Sequence, residues 1–115
     1  MLYLLHFSPR YRHAGHYLGY TDNLPQRFAM HLKGRGSPLV KAAIANGSRV
    51  ILVRIWAEDG NAEQEIKRVV GSRARLCPVC NPRAQSVMAV YKSKMVHVEK
   101  PEQASRLKLT WLPFN

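Results

Sequence analysis

Two tyrosines (Tyr3 and Tyr17), an arginine (Arg27), a histidine (His31) and a glutamate (Glu63) follow one another along the first part of the chain. Side chains of these types could together hydrolyse a phosphodiester. That reaction needs a deprotonated water, neutralised phosphate charge and a stabilised leaving oxygen. A carboxylate can hold a Mg²⁺ ion that keeps several of its waters. An arginine can neutralise phosphate with a two-pronged fork. A tyrosine, with an ordinary pKa of about 10, becomes a usable base only where a nearby cation favours the phenolate. Singly, each residue also has an ordinary structural reading. Tyr3 and Tyr17 suit half-buried strands, Arg27 and His31 suit a solvated helix face, and Glu63 complements a helix N-terminus. The information lies in their order and spacing.

Those residues need elements to hold them. Leu2 to Phe7 reads as a buried strand, Ser8 to Gly15 as a loop, and His16 to Tyr20 as a second, antiparallel strand. Thr21, Asp22 and Asn23 are all suitable N-caps for a helix running to about Lys33, with Gly34 as its stop. On that helix Leu24, Phe28 and Leu32 make an apolar stripe. Arg27 and His31 recur four residues apart on a neighbouring face, so they project together. Ser37-Pro38 opens a short helix through Asn46, ended by Gly47. Arg49 to Trp56 is the clearest strand. Glu58 to Asn61 reads as a turn, and Asn61 can cap a helix from Ala62 to about Val70, stopped by Gly71. Beyond Gly71 the pattern weakens. Val87 to Tyr91 and Met95 to Val98 read as short strands around a Lys92-Ser93-Lys94 turn, and Leu107 to Leu112 alternates weakly. This order predicts an α+β domain over residues 1–82: a small three-stranded antiparallel sheet flanked by helices. Residues 83–115 form a short C-terminal extension packed on the same domain.

The totals set bounds on this. A length of 115 residues with 46% hydrophobic content suits one globular core and argues against disorder. A formal charge of +11 attracts polyanions, and phosphate contacts supply most non-specific nucleic-acid affinity. Arg10, Arg12, Lys33, Arg35, Lys67 and Arg73 are the candidate phosphate contacts. No apolar run approaches the roughly 18 residues of a spanning helix. The apolar start is also too short for a signal peptide, and its arginines follow rather than precede it. The expected location is the cytoplasm, with no membrane partner.

The motifs carry a resemblance to a known family. Tyr3-Leu4-Leu5 looks like the strand bearing G-I-Y, with Tyr3 at the tyrosine, and Tyr17-Leu18-Gly19 looks like Y-I-G. Thr21, Asn23, Leu24, Arg27 and His31 fit T-x-N-L-x-x-R-x-x-x-H, which is the most specific part of the match. Glu63-Gln64-Glu65-Ile66-Lys67 satisfies E-x-x-[LI]-K, and Asn81 stands where a closing asparagine is common. Over about residues 1 to 82 the chain thus resembles the GIY-YIG nuclease superfamily. Leu2 replaces the glycine of G-I-Y, and the gap from Tyr3 to Tyr17 is longer than usual. Neither departure removes a chemical group.

The resemblance implies a single-metal endonuclease acting on DNA. Tyr3 would be general base, helped by Tyr17 or His31. Arg27 would bind the phosphate and Glu63 would ligate one Mg²⁺ or Mn²⁺. It also implies kinship with the amino-terminal nuclease of excision repair and with structure-specific resolving nucleases. A stand-alone member would act on branched or damaged DNA with weak specificity of its own, or draw its target choice from a protein partner. RNA stays open, because phosphate chemistry does not choose the sugar. A non-catalytic DNA- or RNA-binding module on the same fold is the main alternative.

Cys77-Pro78-Val79-Cys80 raises a further question. A structural zinc needs four ligands, and one C-x-x-C pair supplies half of them. None of His6, His13, His16, His31 and His97 forms a downstream H-x₃₋₅-H pair. The sequence therefore favours two packed thiols at a turn over a zinc at Cys77/Cys80. A zinc-stabilised interaction protein is the remaining alternative.

Overall fold

The computed structural model describes residues 1–57, 60–68 and 73–108. The expected Gly71 stop, part of the Glu58 to Asn61 turn and most of the alternation from Leu107 to Leu112 lie outside them. Strand β1 (Leu2–Tyr11) runs antiparallel to β2 (Ala14–Tyr20). Helices α1 (Leu24–Leu32) and α2 (Pro38–Ala45) follow, then β3 (Arg49–Trp56) and α3 (Gly60–Arg68). Short 3₁₀ turns at Arg73–Leu76 and Ala84–Ser86 lead to β4 (Ser93–Val98) and α4 (Pro101–Ser105). The sheet is antiparallel in the order β2-β1-β3-β4.

The class is α+β, but the sheet has four strands where three were expected. The extra strand comes from the C-terminal part, where β4 pairs with β3. Of the two short strands read there, only the second forms. The Val87 carbonyl is taken by the Arg54 guanidinium, and Met88 sits at φ 63, so this stretch turns instead of extending. Nor is Ser8 to Gly15 a loop. The hairpin continues to Tyr11 paired with Ala14, turning through Arg12 at φ 56. Asn61 lies inside α3 rather than capping it.

Local chemistry sets the helix ends. The Asn23 side chain accepts the Gln26 N–H at 3.3 Å, and Ser37 Oγ accepts the Leu39 N–H at 3.2 Å. Gly34 and Gly47 close α1 and α2 in the left-handed region, at φ 75 and 91.

The sheet buries both faces. Tyr3, Leu5 and Phe7 of β1 pack with Leu24 and Phe28 of α1, Val40 and Ala43 of α2 and Ala104 of α4. Leu2 and Leu4 face the other way, onto Trp56, Ile66 of α3, Leu76 and Cys77. This follows from strand alternation. A bulge in β3 breaks the alternation there. Leu4 pairs with Arg54 but Leu5 pairs with Leu52, leaving Val53 as the extra residue. Arg54 is thereby turned onto the face of Leu4 and Trp56 and fully buried.

Among the described residues no helix is long and apolar enough to cross a membrane.

Candidate active site

Tyr3 and Tyr17 lie on one sheet face because Leu5 pairs with Tyr17 and Tyr3 pairs with Gly19. His31, near the end of α1, comes down onto both. The Tyr3 hydroxyl and His31 Nε2 are 2.7 Å apart, a hydrogen bond whose direction depends on the imidazole tautomer. The three rings form a triangle with centroids 5.3 to 6.3 Å apart, meeting edge to face or tilted. Tyr3 and His31 are buried, while Tyr17 is half-buried.

Two glycines make room for the triangle. A Cβ on Gly19 would overlap the tip of the Tyr3 ring and crowd Tyr17. A Cβ on Gly36 would overlap the His31 imidazole at Nδ1. Gly19 is the glycine of Tyr17-Leu18-Gly19, so that motif has a steric reason here: the phenol of the neighbouring strand occupies the space of its side chain. No sequence motif marks Gly36, and its role emerges only where the His31 ring packs against it.

The electrostatics hold the pair neutral. Burial raises the Tyr3 phenol above its ordinary pKa, Tyr17 adds to the rise, and the positive charge of Arg27 opposes it. Burial, with Arg27 second, lowers His31 from 6.5 to about 4. Arg27 is thus within electrostatic reach of both groups, as its spacing from His31 predicted. His31 Nδ1 is buried with no hydrogen-bond partner, so protonation would place an unsatisfied N–H and a charge in the core.

A pH dependence follows from that shift. An unfolded chain binds a proton at His31 near pH 6.5, and the folded chain resists until about pH 4. Stability from this group is present above pH 6.5 and lost as pH falls towards 4. The loss at pH 4.5 is about 2 to 3 kcal/mol. Urea denaturation at pH 7 and pH 4.5 should show the parent losing that much more stability than His31→Leu.

Glu63 occupies the first turn of α3, with its side chain 48% exposed, and pairs with Lys67 at 3.8 Å. Ile66 anchors α3 on the sheet face away from Tyr3. In the chain Glu63 follows β3, whose Ile55 pairs with Tyr3. It is not in hydrogen-bond contact with the ring triangle. Asn81 is not brought there either: its amide donates to the Arg75 carbonyl at 2.8 Å and its oxygen accepts the Arg83 N–H. That side chain ties a loop.

The basic candidates fall into separate groups. Lys33 and Arg35 are exposed beside His31, between α1 and α2, and a shallow depression there is lined by Gly34 to Pro38 and Lys41. Arg10 and Arg12 are exposed at the hairpin end, where Arg12 lies over the Tyr11 ring. Arg73 is exposed and lines a depression with His13 and His16. Lys67 is exposed and paired with Glu63.

Two constellations were missed in the sequence. Arg54, a charge inside an apolar strand, donates to the carbonyls of Leu76, Ala84 and Val87 and to Ser93 Oγ, at 2.9 to 3.2 Å. The second is a group of four metal-ligand side chains, His6, His16, Cys77 and Cys80. The cysteine pair lacked partners in sequence order; the upstream hairpin provides two histidines. The signal was available in the hairpin, since pairing Leu5 with Tyr17 sets His6 opposite His16.

No protein-family model, curated protein or solved structure matches this chain.

Proposed function

We propose that the protein is a metal-dependent endonuclease of GIY-YIG type acting on DNA. The observation that carries this reading is the 2.7 Å hydrogen bond between the Tyr3 hydroxyl and His31 Nε2, under the charge of Arg27 and against the Tyr17 ring. That bond satisfies a buried hydroxyl and also fixes the direction of the Tyr3 oxygen within a cluster that Arg27 and Tyr17 complete. With both groups held neutral by burial, the phenolate that a base requires would be favoured by Arg27 and by a bound divalent ion, while His31 orients the hydroxyl through the existing hydrogen bond.

In this reading Arg27 holds the scissile phosphate and Tyr3 removes the proton of the attacking water. Tyr17 and His31 fix the Tyr3 ring and tune its hydroxyl. The exposed Glu63 carboxylate suits Mg²⁺ or Mn²⁺, hard ions that take oxygen ligands and keep several waters, and its surface pair with Lys67 is weak enough to exchange. When bound, such an ion supplies charge that stabilises the phosphate and leaving oxygen. Lys33 and Arg35, beside His31, would track the nucleic-acid backbone, and branched or damaged DNA is the proposed target. A partner protein would narrow the target choice.

The test is incubation with labelled duplex, flap and four-way DNA in Mg²⁺, in Mn²⁺ and in EDTA, beside Glu63→Ala. Cleavage by the parent alone, abolished by EDTA, is the expected result. Salt-sensitive binding with no cleavage on any substrate would favour the binding module that the charge of +11 equally allows.

A further inference from the structure

On the opposite face of the sheet, four side chains from two distant segments point at one spot. His6 Nδ1 and His16 Nε2, on paired positions of the β1–β2 hairpin, are 3.2 Å apart. Cys77 Sγ and Cys80 Sγ each lie 3.5 Å from His6 Nδ1, and Cys80 Sγ lies 3.5 Å from His16 Nε2. All four donor atoms fall within 4.8 Å of one another. We propose that they bind a single structural Zn²⁺ ion.

Hydrogen bonding does not account for this geometry. His6 Nδ1 has three neighbours in contact, the His16 nitrogen and both sulfurs. An imidazole nitrogen offers one proton or one lone pair, so it can serve only one of them well. A central ion satisfies all four donors at once. With Zn–N of about 2.05 Å and Zn–S of about 2.3 Å, a tetrahedron has N···N edges of about 3.3 Å and N···S edges of about 3.6 Å. The His6–His16 distance and the three N···S distances match those edges. The donors converge on one point, which fits one ion and not a two-metal cluster with separated histidine and cysteine ends.

The donor set selects the metal. Two thiolates and two imidazoles in a tetrahedron suit Zn²⁺, and four protein ligands leave no open position for substrate. Binding forms two Zn–S and two Zn–N bonds and releases both thiol protons to solvent, so the two thiolates balance the ion's charge. Mechanically the ion would clip the Cys77–Cys80 turn to the hairpin that carries Arg10 and Arg12. Strand alternation puts His6 on the face away from Tyr3, so this site is separate from the candidate active site and independent of the nuclease reading.

Metal analysis of protein purified under reducing conditions tests the site. The expected content is one zinc per chain, at least tenfold lower in Cys80→Ser and in His16→Ala, and unchanged in His13→Ala. Should those variants fail to fold, the parent alone suffices. A strong chelator should lower its melting midpoint and added Zn²⁺ should restore it. Co²⁺ loaded in place of zinc should give the intense visible bands of tetrahedral cobalt with a near-ultraviolet thiolate band. A metal-free chain with no tetrahedral cobalt spectrum, a Cys77–Cys80 disulfide in the fresh protein, or iron in place of zinc would each overturn the proposal.

Discussion

In the proposed nuclease, Tyr3→Phe should lower the metal-dependent cleavage rate by about 10²- to 10⁴-fold while leaving DNA binding unchanged. The substitution removes one oxygen and keeps the ring, so Tyr17, His31 and Gly19 retain their packing against it. What disappears is the hydroxyl that would take the water proton, together with its 2.7 Å bond to His31. His31 then has neither ring nitrogen paired, since Nδ1 is already without a partner. That costs about 1–3 kcal/mol of stability. A merely structural hydroxyl would show only the stability loss. A rate matching the parent, measured below the melting range, would sink Tyr3 as the base. Tyr17→Phe separates the two tyrosines: a half-buried ring in a supporting role should lose much less activity than Tyr3.

The second large effect is on stability. Arg54→Met should destabilise the fold by about 3 kcal/mol or more, lowering the melting midpoint by roughly 10 °C or more. Arg54 is fully buried, and burial lowers its pKa to about 10, which leaves it charged at neutral pH. Its guanidinium has no carboxylate partner among the described hydrogen bonds. It is held by three backbone carbonyls, the Ser93 hydroxyl and the face of Trp56, 4.6 Å from the ring centroid. Methionine fills much of the same volume but donates nothing, so three carbonyls, two of them buried, lose their donor. Arg54→Lys should fall between the two, because one ammonium with three protons cannot reach a fork-shaped set of acceptors. Urea denaturation of the three proteins would settle the order. A methionine variant within 1 kcal/mol of the parent (roughly the scale of an ordinary substitution) would show that the carbonyls find other partners.

Arg54 also couples the two halves of the chain. Its acceptors lie at Leu76, next to Cys77, and at Ala84 and Val87, between the C-x-x-C turn and β4. One side chain therefore organises the stretch that sequence patterns left undefined. The 83–115 region reads as an extension because the family resemblance stops near residue 82 and the patterning beyond it is weak. Its strand forms because β3 offers a free edge and Arg54 collects the preceding turns.

The parts that could be read from the residues alone are those whose causes are local. Asn23 and Ser37 cap helices, Gly34 and Gly47 end them, and the apolar run of Arg49–Trp56 makes a buried strand, because each acts within a few residues of itself. The nearness of Arg27 to His31 was legible for the same reason, since helical spacing of four puts them together, but the complete burial of His31 was not. The hydrogen bond from Tyr3 to His31, the role of Gly36, the burial of Arg54 and the meeting of His6 and His16 with Cys77 and Cys80 were not. Each depends on strand register, on the bulge at Val53 or on where a distant loop docks. A single-residue slip in register would turn His6 or Arg54 to the other face, so these contacts exist only once long-range pairing has fixed which face every side chain occupies.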